Sequence, residues 1–186
     1  MRLTTVLMFS CLAMASEFPV GSKLPDLALN DHGKAVTIRA GKAQATALIF
    51  VSATCEVTES YSDRLKRLDA DYSAKNVDFA FIDANDPESA AQIDAYAKAH
   101  GWKFKVYKDD SNRLADTLDA HVTPEVFLFD KGGILAYRGR VDDSRNALNV
   151  KTIDARTALD AVLSGKTPPV TETKAFGCTI TRAKQK

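Results

Sequence analysis

The chemistry open to this sequence rests on two sulfurs that lie far apart in the chain. Cys55 stands where a short apolar run, Ala47-Leu48-Ile49-Phe50-Val51, gives way to a segment in which Val57, Tyr61, Leu65, Leu68 and Tyr72 recur three to four residues apart. The run reads as a buried strand and the segment as a helix, so Cys55 falls at their junction. The N–H groups of a first helical turn lack partners and attract negative charge, which favours the thiolate of a cysteine placed there. An inert cysteine is the competing reading, because free Cys is also a common small core residue. The second sulfur, Cys178, lies in the tail at Phe176-Gly177-Cys178. A thiolate that attacks a disulfide forms a mixed species and needs another thiol to release its partner. Cys178 can be that resolving thiol if the tail folds back, and the same approach would equally allow a permanent bridge pinning the tail.

Thr123-Pro124 precedes the next apolar run, Val126-Phe127-Leu128-Phe129. A proline there removes one ladder N–H, and a cis bond would turn backbone groups toward the cysteine loop, where an extended disulfide substrate could pair with them; an ordinary trans proline entering an edge strand is the alternative. His121 lies two residues earlier and could join Cys55 and Cys178 as a soft donor set for copper or zinc, although the spacing matches no compact metal signature. Asp83, Asn85, Asp142 and Asp143 are further polar candidates. Asp83 follows a strand and can tune proton transfer or simply join a helix cap, while Asp142-Asp143 reads as a solvated turn.

Several elements must bring these residues together. A lead-in with Pro19, Gly21 and Pro25 is followed by a turn at 31–34 and a short strand at 35–38. After the central strand and the helix from Glu56 to Tyr72, a second core strand spans 77–82. Asp86 and Pro87 then read as N-cap and first position of a helix with Ala90, Ile93 and Ala97 inside. A strand near 104–107, a short helix at 110–118, a hairpin turning at 130–133 and a helix at 153–163 burying Leu159, Val162 and Leu163 complete the pattern. This order predicts an α/β fold: a mixed central sheet with helices on both faces, plus a C-terminal tail extension.

Residues 1–15 read as a signal peptide: a basic start, an apolar stretch and Ala13-Met14-Ala15 before Ser16. Cys11 raises a lipoprotein signal as the alternative, against which Met8-Phe9-Ser10 is a poor match. The expected organisation is a signal at 1–15, one domain at 16–165 and an extension at 166–186 carrying Cys178. Removing the signal leaves Cys55 and Cys178, so one intramolecular bridge has a single connectivity in an oxidising compartment. The balance of 25 Lys and Arg against 24 Asp and Glu gives no basic face for nucleic acid, and no later stretch reaches membrane-spanning length. No cofactor is called for, and oligomeric state leaves no readable mark.

Taken together, the strand into Ala53-Thr54-Cys55, Val122-Thr123-Pro124-Glu125-Val126, Phe129-Asp130-Lys131-Gly132-Gly133, Tyr137-Arg138-Gly139-Arg140 and Gly177-Cys178 resemble the thioredoxin-like superfamily, in particular exported redoxin-domain proteins of the thioredoxin-like or peroxiredoxin-like kind. The resemblance spans about residues 24–163 and implies that Thr123-Pro124 is a cis-proline loop facing Cys55. The departures are informative. Thr58 stands where thioredoxins carry a second cysteine, which excludes a local dithiol cycle. Glu56 stands where relatives commonly have proline; its carboxylate suits the helix dipole but opposes an adjacent thiolate. Ser52 lies three residues before Cys55, as in peroxiredoxins, without their proline, and Arg138 or Arg140 as the family's arginine is equally open to a surface ion-pair role.

The leading expectation is a thiol–disulfide exchange protein, periplasmic or secreted, with Cys55 attacking, Cys178 resolving and Thr123 and Pro124 beside them. Its partners would be exported cysteine-containing proteins or a thiol reductant. A non-catalytic scaffold with a structural Cys55–Cys178 bridge, a thiol peroxidase and a Cys/His metal-handling protein are the alternatives.

Overall fold

The computed structural model describes residues 18–184; the expected signal peptide and Cys11 lie outside them. In chain order the strands and helices are β1 (Leu27–Asp31), β2 (Lys34–Ile38), β3 (Ala45–Val51), α1 (Glu56–Ser73), β4 (Val77–Asp83), α2 (Ala90–Ala99), β5 (Val106–Lys108), α3 (Arg113–Leu118), β6 (Val122–Thr123), β7 (Glu125–Asp130), β8 (Leu135–Gly139), α4 (Asp154–Leu163) and β9 (Cys178–Thr179). Seven strands form one mixed sheet in the order β2-β1-β5-β4-β3-β7-β8, and β6 pairs with β9 in a separate two-stranded ribbon.

Every residue of β3 is buried, because this strand is covered on both faces. It runs parallel to β4, with Ile49 opposite Phe81, and antiparallel to β7, with Ile49 opposite Val126. Side chains alternate along a strand, so β3 feeds two cores. Ala45, Ala47, Ile49 and Val51 pack with Tyr61, Leu65, Leu68 and Tyr72 of α1 and with Ala155, Ala158 and Leu159 of α4. Leu48 and Phe50 meet Leu114 and Leu118 of α3, Phe127 and Phe129 of β7, and Ile180 from the tail.

Three local readings are corrected. The second half of the lead-in is strand β1, whose hairpin with β2 is closed by the turn at His32-Gly33, both with positive φ. Helix α2 starts after Ser89, not Asp86: Ser89 and Gln92 form a reciprocal capping box, which satisfies two orphan donors at once and outcompetes a single Asp cap. In α4 the buried face is Ala155, Ala158 and Leu159, with Val162 and Leu163 half-buried at its end. No described helix is long and apolar enough to cross a membrane.

Candidate functional site

Cys55 and Cys178 form a disulfide across 123 residues of sequence, with their Cα atoms 5.8 Å apart. The sequence places Cys55 as the N-cap of α1: its backbone is extended, and its Sγ accepts the N–H of Thr58 at 3.4 Å. That N–H is one of the unpaired donors of the first turn, a setting that favours negative charge on a cysteine sulfur. Thr58 itself is buried, and its hydroxyl has no hydrogen-bond partner among the described residues. On the other side, the carbonyl oxygen of Thr123 lies 3.2 Å from Cys55 Sγ. The Thr123–Pro124 bond is cis, and β6 pairs antiparallel with β9 so that Thr123 faces Cys178 and Val122 faces Thr179. Cys55 is 2% exposed, whereas Cys178 is half-buried. The tail side of the bridge is therefore the less enclosed one.

The loop ahead of Cys55 is fastened by a residue the sequence did not single out. Glu88, 3% exposed, accepts Ser52 Oγ at 2.5 Å, Thr54 Oγ1 at 2.6 Å and the Ala53 N–H at 2.7 Å. Burial alone would raise its pKa, but these bonds together with one from Asp83 hold the carboxyl below its ordinary value. Asp83, at the end of β4, goes the other way. Burial first, then the hydrogen bond and charge of Glu88, push it up to about 7 against the opposing Lys108 ammonium, 2.9 Å from Asp83 Oδ1. Two adjacent buried carboxyls cannot both stay charged cheaply, so Asp83 keeps the proton and Glu88 the charge. The only hint in sequence is the hydroxyl-rich Ser52-Ala53-Thr54, a set of donors in search of an acceptor. Glu88→Gln keeps the shape but loses the charge-assisted bonds; the expected cost is about 2 kcal/mol, read from urea unfolding of the oxidised protein.

A second buried carboxylate shapes the proline loop. Glu125 Oε2 accepts the N–H groups of His121 at 2.9 Å and Val122 at 3.4 Å, while its Oε1 lies 3.4 Å from Arg138. Arg138 is buried on β8 and also donates to the carbonyl oxygen of Asp119 at 3.0 Å, so it is a brace for the loop and not a surface residue. Arg140 pairs with Asp154 at 2.8 Å. Asp142 is likewise not a solvated turn residue: it is 4% exposed, receives Arg64 at 2.6 Å and 2.7 Å and the Tyr61 hydroxyl at 2.9 Å, and so ties α1 to the loop after β8. Asp143 caps its own loop, accepting the N–H groups of Lys151 and Thr152.

The opposed effects of Glu56 are partly resolved. Arg145 reaches its carboxylate at 3.1 Å, and this hydrogen bond and charge lower the Glu56 pKa, so the negative charge beside Cys55 is answered by a cation. His121 is exposed and pairs with Asp119 at 2.8 Å, and the two sulfurs are bonded to each other. The three do not converge as a donor set. Asn85 serves the tail: its Oδ1 accepts the N–H of Thr181 at 2.9 Å.

The geometry agrees with the relatives of the chain. A hypothetical protein from Sinorhizobium meliloti is 30% identical, with a TM-score of 0.81 over 91% of this chain and 97% of its own. An uncharacterized conserved protein from Geobacillus kaustophilus is 31% identical, with a TM-score of 0.82 over 92% and 96%. A thiol-disulfide oxidoreductase from Bacteroides fragilis shares the fold at 19% identity and a TM-score of 0.55, over 63% of this chain and 89% of that one. No curated protein matches the sequence. The AhpC/TSA family matches residues 20–138, which run from the lead-in through the Cys55 junction and the cis-proline loop to β8. With its thioredoxin-like sheet and a cysteine pair able to form a disulfide, the chain belongs to the AhpC/TSA family.

Proposed function

We propose that this protein is a thiol–disulfide exchange protein acting on exported cysteine-containing proteins, with Cys55 as the attacking thiol and Cys178 as the resolving one. The observation that carries this reading is the place of the bridge: at the N-terminus of α1, beside the Thr123–Pro124 loop, with Cys178 only half-buried. In the reduced protein the Cys55 thiolate attacks one sulfur of a client disulfide. That S–S bond breaks, the other client sulfur leaves as a thiolate and takes a proton, and Cys55 holds the mixed disulfide. The Cys178 thiolate then attacks Cys55 Sγ and releases the second client thiolate. The client gains two electrons and two protons, and the protein returns to the bridged form. A thiol reductant restores the dithiol in two steps: one reductant thiolate attacks Cys178, with Cys55 leaving as the thiolate that the Thr58 N–H stabilises, and a second reductant thiolate attacks the reductant sulfur of that mixed disulfide, so that Cys178 leaves as thiolate and the reductant becomes a disulfide.

The same reading takes residues 1–15 as a signal peptide, 16–165 as the redox domain and 166–186 as the extension that delivers Cys178, in a periplasmic or secreted protein. A stable Cys55–Cys178 bridge suits an oxidising compartment. A structural bridge in a non-catalytic scaffold is the second reading, favoured by the burial of Ile180 and by the bonds of Thr181 to Asn85 and Asp86.

Trapping separates them. Cys178→Ser protein should accumulate mixed disulfides through Cys55 with exported proteins, and Cys55→Ser should abolish exchange with a disulfide substrate. Unchanged exchange without Cys55, together with no trapped client, would reject the exchange reading and leave the scaffold.

A further inference from the structure

The tail does more than deliver a sulfur. Strand β6 has one partner among the described residues, and that partner is β9. Main-chain pairing sets Thr123 against Cys178, and the Ile180 N–H donates to the His121 carbonyl at 2.9 Å. An extended segment with a cysteine bonded to Cys55, laid along the edge that ends at Pro124, is what a client strand in mixed disulfide would be. Strand addition to an open edge supplies affinity through the backbone, while pockets for individual side chains supply selectivity.

Three tail positions meet such pockets. Phe176 stacks obliquely on Tyr61, ring centroids 6.3 Å apart, and packs on the α1 core. At Gly177 a Cβ would run into the carbonyl group of Thr123, so the backbone there tolerates glycine alone without movement. Ile180 is 3% exposed and sits in the second core with Leu114 and Phe129. Thr179 is exposed and unread. The tail has anchors on both sides of this segment. It is anchored upstream on β8, where the Arg138 N–H donates to Thr171 and the Thr173 N–H donates to Arg138, both at 3.0 Å, and Gly139 makes room for Thr173. Downstream, the Thr181 N–H donates to Asn85 Oδ1 at 2.9 Å, the Ala183 N–H to Asn112 Oδ1 at 2.7 Å, and Arg182 pairs with Asp116 at 2.8 Å; the β8 anchor keeps the effective concentration of residues 176–180 at the groove high even where these bonds open.

From this we infer that residues 176–180 are an internal copy of the client, and that the groove beside β6 selects extended peptides of the pattern aromatic–glycine–cysteine–any residue–aliphatic. The inference rests on the exchange reading and names its substrate class. A dithiol reductant attacks Cys178 Sγ with one thiolate and Cys55 leaves as thiolate; the reductant's second thiolate then closes the reductant's own disulfide, Cys178 leaves as thiolate, and the tail vacates β6. A client disulfide occupies the same register, exchanges one sulfur onto Cys55 and expels the other as thiolate. The returning tail competes for β6 while its Cys178 thiolate displaces the client sulfur.

The test uses the full chain as Cys178→Ser and as Gly177→Ala/Cys178→Ser, in which the tail is itself excluded from the groove. The probes are the peptide Phe-Gly-Cys-Thr-Ile, with its cysteine carried as a mixed disulfide with thionitrobenzoate, and its counterpart with Ala in place of Gly. Release of the chromophore reports attack by Cys55, and a small aromatic disulfide serves as an unselective control. The glycine peptide should react about tenfold faster than the alanine peptide, and faster still with the double variant. Equal rates for the two peptides alongside a reactive control would overturn the client pattern and leave exchange standing. Silence of Cys55 toward the peptides and the control in both variants would overturn exchange and the pattern together.

Discussion

Replacing Cys178 by Ser is expected to remove about 4–5 kcal/mol of stability relative to the oxidised protein, the largest single effect in the molecule. The bridge closes a loop of 123 residues, and a cross-link of that span removes a large share of the conformational freedom of the unfolded chain. The measurement is the urea midpoint of each protein, oxidised and in excess dithiothreitol. In reductant the parent should fall to the level of Cys178→Ser, since both then lack the cross-link. A gap of less than about 1 kcal/mol between oxidised parent and variant would show that without the bridge the tail leaves the fold despite buried Ile180 and the Thr181 bonds, so that the cost of ordering it offsets the freedom lost by the unfolded chain. This bears on function. A tail held mainly by the bridge leaves when the bridge is reduced, as a displaceable internal client must.

The second large effect is a fall in stability as pH rises from about 4 to 7. The folded state keeps Asp83 protonated up to about 7, through burial first and the neighbouring Glu88 second, whereas in the unfolded chain the same carboxyl ionises near its ordinary 3.8. Stability from this group is thus complete below the unfolded pKa and is lost as pH climbs through the folded one. For a single proton the slope reaches about 1.4 kcal/mol per pH unit inside that window. Asp109, also raised by burial, acts in the same sense, although the N–H groups of Leu114 and Ala115 oppose its shift. The difference between parent and Asp83→Asn isolates Asp83. The variant should be flatter between pH 5 and 7, measured by denaturant unfolding at fixed ionic strength. An identical slope in the two proteins would assign the proton to another group.

The two effects meet at one place. Glu88 fastens the loop that carries Cys55, and the raised pKa of Asp83 and the lowered one of Glu88 are two sides of one buried pair beside that loop. The tail closes the opposite side through Thr123 and Asn85.

Much of this was legible in the residues themselves. The apolar run 47–51 and the periodic segment after it fixed a strand, a helix and the position of Cys55 between them, because burial and helical spacing leave a direct trace in residue type. The hairpin around 130–133 and the cis-proline loop were equally plain, the latter through family resemblance. Local chemistry misled at Asp86, where Ser89 and Gln92 formed the better cap, and at Asp142, whose solvated look gave no sign of Arg64.

The sequence by itself determined that Cys55 stands at a strand–helix junction, that another cysteine, Cys178, lies far off in the tail, and that a local dithiol is excluded by Thr58. Only the tertiary structure decided that the distant tail reaches Cys55, that it does so as a strand beside Thr123, and that Glu88 and Glu125 are buried against the loops they fasten. The reason is physical: helical and strand periodicity are short-range and repeat along the chain. The partner of a buried carboxylate, or of a sulfur 123 residues away, is chosen by which surfaces the packed core brings into contact.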